Sequence, residues 1–148
     1  MSLLDWKDAI LLRLSEGGDG NPGFGAEQVY EESIPDQSEL GRMSDGRVRP
    51  FVSVWFGQRI GMGDGYRGIC GVRNNAHMAN FLVLVVGPDG RSTNRAKALV
   101  SELLWGYRPA GQGELEETSS TTIRRPLDIS GVVSRNAVPI AYSGTVIV

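Results

Sequence analysis

The chain reads as an α+β domain: a mainly antiparallel β-sheet with two helices packed on one face, a long β-hairpin and Gly-rich loops. Three observations predict this. Phe81-Leu82-Val83-Leu84-Val85-Val86 is a continuous apolar run rich in β-branched residues, as a sheet-centre strand requires. Ala96, Leu99, Val100, Leu103 and Leu104 follow at helical spacing and place one apolar face toward that strand. Strand-type segments then recur without the regular strand–helix alternation of a parallel sheet. A strand apolar on both faces must be covered on both, and this second helix covers one of them.

Taken in order, Ser2 to Leu14 is predicted to form the first helix. Ser2 is a candidate cap, Asp5 lies in the first turn where the helix dipole favours an acid, and Trp6, Ile10 and Leu14 recur at four-residue steps, with Leu3 and Leu11 widening the stripe. Gly17 to Gly25 reads as a flexible connector. A phosphate cradle would need a preceding strand and a Lys, and this loop follows a helix and carries Asp19 with no base. Val29-Tyr30 begins a short strand, and Ile34-Pro35-Asp36 starts a loop.

Val48 to Phe56 is a strand in which Val48, Val52, Val54 and Phe56 alternate with Arg49, Phe51, Ser53 and Trp55. Pro50 suits an early or edge position. Gly57 to Gly65 is a loop, and Tyr66 to Val72 returns as a strand to complete the long hairpin. After Phe81–Val86, Gly87-Pro88-Asp89-Gly90 is a break, Ser92-Thr93-Asn94 supplies helix caps, Gly106 ends the helix and Pro109 prevents its resumption. Gln112 to Thr122 is a polar segment, either a loop or a strand in an exposed hairpin. Ile123 to Ile129 is a strand candidate interrupted by Pro126. In Val138 to Val148, Ile140, Tyr142, Val146 and Val148 share a face opposite Ala141, Thr145 and Ile147.

A length of 148 residues, 41% hydrophobic and 22% charged, is expected to form one globular domain, residues 1–148. A net charge of -2 gives no general attraction to nucleic acid or anionic membranes. The single Cys70 precludes an intrachain disulfide framework and fits a reducing cytosol. The first segment mixes Asp5, Lys7 and Asp8 among its apolar residues, unlike a signal peptide, and no apolar run is long enough to span a bilayer.

Charge is distributed unevenly. Glu16 to Asp45 holds eight acids and only Arg42 as a base, whereas Arg47 to Arg108 holds nine bases against Asp64, Asp89 and Glu102. Of the fifteen bases thirteen are Arg, whose rigid fork pairs bidentately with carboxylates, so acidic and basic surfaces are candidates to meet between copies of the chain. A solvated surface is the plain alternative.

Chemistry-bearing constellations are few. His77 and Cys70 are single and seven positions apart across a strand end, too few for a zinc site and without a G-x-S-x-G elbow nearby. Glu31-Glu32 and Glu116-Glu117 are adjacent acids in polar stretches, the usual sign of solvated carboxylates. Arg59, Arg67 and Arg73 near Trp55 and Tyr66 form the best nucleic-acid candidate, opposed by the acidic N-terminal third. No catalytic residue, cofactor or metal site is predicted. A small Cys/His enzyme and a nucleic-acid-binding module are the alternatives from other classes.

Val29-Tyr30, Ile34-Pro35-Asp36 and the run Asp45-Gly46-Arg47-Val48-Arg49-Pro50-Phe51-Val52-Ser53-Val54-Trp55-Phe56-Gly57 resemble the first half of tail terminator proteins of long-tailed, siphovirus-type actinobacterial phages. Phe81 to Gly87, the helix with Ala96 to Leu104, and Gly106-Tyr107-Arg108-Pro109 resemble the later part. Order and spacing carry the likeness across most of the chain. The long Gly17–Gly25 connector and the polar Gln112–Thr122 segment depart from it.

The resemblance implies a non-enzymatic virion protein, assembled in the host cytoplasm as a homo-oligomeric ring, typically a hexamer, on the head-proximal end of the tail tube. There it stops tube polymerisation and offers a docking surface to head-neck connector proteins. Viral DNA passes through the ring without specific binding. Another neck or minor tail protein of related fold is the alternative within that class. The expected interface comprises Glu27, Glu31, Glu32, Trp55, Arg59, Arg67, Trp105, Tyr107 and Arg108, with Glu27–Glu39 facing a neighbour or the lumen and meeting Arg59 and Arg67.

Overall fold

A computed structural model describes residues 3–35, 40–57, 60–61, 76–118 and 136–147. Helix α1 (Leu3–Glu16) is followed by two short strands, β1 (Gly17–Gly18) and β2 (Asn21–Pro22), a 3-10 turn at Ala26–Gln28, and strand β3 (Val29–Glu31). Strands β4 (Phe51–Phe56), β5 (Ile60–Gly61) and β6 (Ala76–Gly87) lead into helix α2 (Gly90–Leu104). A 3-10 turn at Pro109–Gly111 precedes β7 (Glu116–Glu117) and β8 (Asn136–Ile147). The main sheet runs β3-β4-β6-β8-β7, with β5 also pairing β6. All pairs are antiparallel except β3 with β4. The fold is α+β.

The β6–β8 ladder is the spine, in register from Ala76↔Ile147 to Gly87↔Asn136. Period-2 alternation sends Val52, Val54, Phe81, Val83, Val85, Ile140, Tyr142 and Val146 to one face, where they are buried under Trp6, Ile10 and Leu14 of α1 and Ala96, Val100, Leu103 and Leu104 of α2. Both helices therefore cover one face. Aromatic rings knit that core: Trp6 meets Phe81 edge-on at 5.7 Å, and Phe81 stacks on Tyr142 at 5.4 Å between centroids. Gly144 makes room for the assembly, since a Cβ there would lie 2.9 Å from Leu115 Cδ2.

The other face of β6 receives its cover from the chain just before β4. Leu40 and Val48 bury Phe51, Leu84, Val86 and Ala137 on that side, with Tyr30 packed against them. Arg42 and Val48 form an isolated bridge that folds this segment back on itself.

Several local expectations are corrected. Gly17–Gly25 is no flexible connector at its start: Asp19 (φ 52°) and Gly20 (φ 82°) form the centre of a two-residue hairpin turn with both φ positive, closing Gly18↔Asn21. Helix α2 begins at Gly90, earlier than Ser92-Thr93-Asn94, because Asp89 is the N-cap and its Oδ1 accepts the Ser92 N–H at 2.7 Å. Val48 does not share a face with Val52, for strand pairing starts only after Pro50 and Val48 packs with Phe51. Within Gln112–Thr122, of which residues 112–118 are described, the strand alternative holds at Glu116–Glu117, which pair with β8, while Leu115 departs from the polar character and is fully buried. The antiparallel partner of β4 is β6; Tyr66–Val72 and Ile123–Ile129 lie outside the described residues.

Candidate functional site

The acidic residues expected at an interface sit along one sheet edge. Glu27 is exposed in the 3-10 turn, held by Gln28, whose buried amide donates to the Pro50 carbonyl at 3.1 Å. Glu31 ends β3, which among the described residues pairs with β4 alone, and both Glu31 and the next residue, Glu32, are exposed. Glu32 adopts φ 49° while its N–H donates to the Val54 carbonyl at 2.8 Å, which turns the chain away from the sheet there. Glu27, Glu31 and Glu32 make no ion pair among the described residues.

Trp55 lies on β4 opposite Leu82, on the face away from the helices, and keeps 39% of its surface accessible. Trp105 caps the end of α2 and is 64% exposed; Gly106 follows at φ 76°, the left-handed position that ends the helix. Arg108 is exposed and pairs with Glu114 at 3.6 Å. Tyr107 is half-buried and packs against the core, with the Arg13 guanidinium 4.6 Å from its ring centroid. Arg13 also donates to the Leu103 carbonyl at 3.0 Å and to Asp19 at 2.6 Å, clamping α1, the first hairpin and the end of α2 together. Tyr107 thus serves the helix layer first. Arg59 and Arg67 lie outside the described residues, as does Cys70.

Helix α1 packs against both 3-10 turns, the one at Ala26–Gln28 and the one at Pro109–Gly111. Trp55 belongs to the opposite face. The described candidate residues are thus spread over the edge and both faces of one scaffold.

His77 is half-buried on β6, and its Nδ1 has no hydrogen-bond partner among the described residues. Among the described residues no three His, Cys, Asp or Glu side chains converge as metal ligands, and no helix is long and apolar enough to cross a membrane. The acidity of Tyr142 is clearly displaced. Burial pushes its hydroxyl well above the usual tyrosine value, neighbouring Ser101 acts in the opposite sense, and the charge of Glu117 reinforces the rise.

Sequence reasoning missed a groove of about 370 Å³ between the chain after the first hairpin, the start of β4 and the first half of α2. Phe24, Pro50, Ala96 and Leu99 line it, flanked by Arg49 and Arg95. Its walls come from three separated segments, so no local pattern announces it; the only hint was the clustering of Arg on either side of the central strand. Arg42, Arg47 and Arg91 are exposed on the same segments, and Arg47 is tied to Asp89 at the start of α2.

Comparison with protein families finds no matching family, and comparison with curated proteins finds no significant match.

Proposed function

We propose that this protein is a structural subunit of a tail terminator ring in a long-tailed phage, capping the head-proximal end of the tail tube and presenting a surface for the head-neck complex. The observation that carries the reading is the order and spacing of Val29-Tyr30, Ile34-Pro35-Asp36, Asp45 to Gly57, Phe81 to Gly87, Ala96 to Leu104 and Gly106 to Pro109, which resemble that family over most of the chain. The fold is compatible with it. Two helices shield one sheet face, while charged and aromatic side chains stand on separate outer patches. Heterologous contacts between unlike patches are what close a ring of identical subunits.

In this reading Glu27, Glu31 and Glu32 face a neighbouring subunit or the lumen, where carboxylates repel duplex phosphates and let DNA pass without adhering. Trp55, Trp105 and Arg108 supply contacts to neighbouring subunits, the tube protein or the connector proteins. The work is assembly rather than catalysis, and its place is the neck end of the virion tail.

Deleting the gene and imaging tails by electron microscopy tests the proposal. Tails of uncontrolled, excessive length that fail to join heads are the expected result. Tails of normal length would overturn it, and tails of normal length without heads would favour a different neck role.

A further inference from the structure

The outer face of α1 is unusual for a solvent face. Trp6, Ile10 and Leu14 point to the core, and on the opposite side Leu4, Asp8 and Leu12 follow at four-residue steps, flanked by Asp5 and Glu16. Leu4 and Leu12 are 62% and 55% exposed. They stand about 12 Å apart along the helix axis, with the Asp8 carboxylate between them. Single exposed leucines are ordinary, but two in register with acids along one stripe form an acidic, apolar ridge.

The groove beside α2 has the opposite character. Its floor is apolar, from Phe24, Pro50, Ala96 and Leu99, and its rim is basic, from Arg49 and Arg95. Neither arginine makes an ion pair among the described residues, and Asp8 makes none either. No acidic side chain is among the described residues that line the groove. The ridge carries two apolar knobs with carboxylates, and the groove carries an apolar floor with guanidiniums.

We infer that the α1 ridge of one copy docks in the α2 groove of a second copy, with Leu4 and Leu12 against Phe24 and Leu99, and Asp8 between Arg49 and Arg95. Ridge and groove are different surfaces, so each copy offers one of each and the contact propagates from subunit to subunit. Desolvation on docking strengthens the carboxylate–guanidinium contacts, and the charges set register and orientation. This deepens the ring reading by naming the surfaces that join subunits, and it rests on that reading only for the biological purpose of the assembly.

The test is sedimentation of the purified full-length protein from micromolar to millimolar concentration, with circular dichroism confirming that each variant folds. Asp8→Arg alone, and Arg49→Glu with Arg95→Glu, should each weaken self-association about tenfold or more. Mixing the two variants should restore association, because the reversed ridge of one fits the reversed groove of the other and the remaining ridge–groove pair is native. Leu4→Ser with Leu12→Ser should weaken association while leaving thermal stability near wild type, since both side chains lie in solvent in the single subunit.

Wild-type protein that stays monomeric throughout, reversals that leave association unchanged, or a mixture that fails to recover it would each overturn the inference. None of those results would alter tail length in the gene deletion. Conversely, normal tails with a restored mixture would remove the terminator role and leave the interface standing.

Discussion

Asp89 joins three parts of the fold, and its replacement separates their contributions. Its Oδ1 caps α2 through the Ser92 N–H at 2.7 Å, its carbonyl accepts the Thr93 N–H at 3.0 Å, and its Oδ2 pairs with Arg47 on the segment that covers the second sheet face. Removing an N-cap side chain costs about 1 kcal/mol. Removing a negative charge from a helix N-terminus costs about 0.3–1 kcal/mol. A half-exposed ion pair such as this one adds at most about 1 kcal/mol, part of it the same charge counted again.

Asp89→Ala should therefore lose about 2 kcal/mol, or roughly 4–8 °C in melting temperature for a chain of this size. Asp89→Asn keeps an oxygen for the cap and loses only the charge, so it should cost about 0.5–1 kcal/mol. Urea titration followed by tryptophan fluorescence reads both, Trp6 being buried in the native core. Moderate salt should narrow the gap between wild type and Asp89→Asn and leave most of the Asp89→Ala loss in place. Equal losses for the two variants would refute the assignment of Oδ1 as the cap, and additivity of Asp89→Asn with Arg47→Ala would refute the ion pair as a contributor.

Gly87→Ala should destabilise by about 1–3 kcal/mol, because a Cβ there would lie 2.6 Å from Thr93 Oγ1 and 3.0 Å from the Thr93 backbone N, forcing α2 off the end of β6; the melting temperature checks it. Tyr142 predicts an alkaline weakness. Its folded-state pKa is raised, so the unfolded chain loses the phenolic proton first, and the folded state is progressively disfavoured once pH climbs past the ordinary tyrosine value of about 10. Tyr142→Phe should remove that component of the pH dependence, visible as the difference between two urea-midpoint profiles, and should change stability at pH 7 by less than about 1 kcal/mol, because the nearby Ser101 hydroxyl donates to Glu117 at 3.4 Å and the phenol makes no well-formed hydrogen bond among the described residues. Identical alkaline profiles for the two proteins would refute the assignment.

The sequence made the layers legible because burial imposes periodicity. Trp6, Ile10 and Leu14 announced α1, and the alternation of Ile140, Tyr142 and Val146 announced the inner face of β8. What escaped was set by backbone conformation and by distant contacts. Asp19-Gly20 is a hairpin turn because both residues take positive φ, yet among many glycines it resembled slack chain. Alternation places Val48 with Val52 and Val54 only if it runs straight through Pro50, where the ladder has not yet begun. The groove was illegible for a different reason: Phe24, Arg49 and Leu99 meet only when three segments converge. The acids at Glu27, Glu31 and Glu32 were legible as charge, while their position on and beside β3, the edge strand of the described sheet, came from topology.

The β6–β8 ladder also sets the order in which this chain can become itself. Its partners lie some fifty to seventy positions apart, so the most extensive pairing in the fold is among its least local. During synthesis β6 leaves the ribosome with an apolar run and one edge awaiting a strand that has yet to be translated. The antiparallel pairing of β4 with β6 and the closure of Leu40 and Val48 over Leu84 and Val86 can protect part of that run in the interval. A pause in translation just before β8 would lengthen the exposure of a β-prone segment with an open edge. The yield of folded protein from cells should therefore fall when translation of the twelve-residue β8 is delayed.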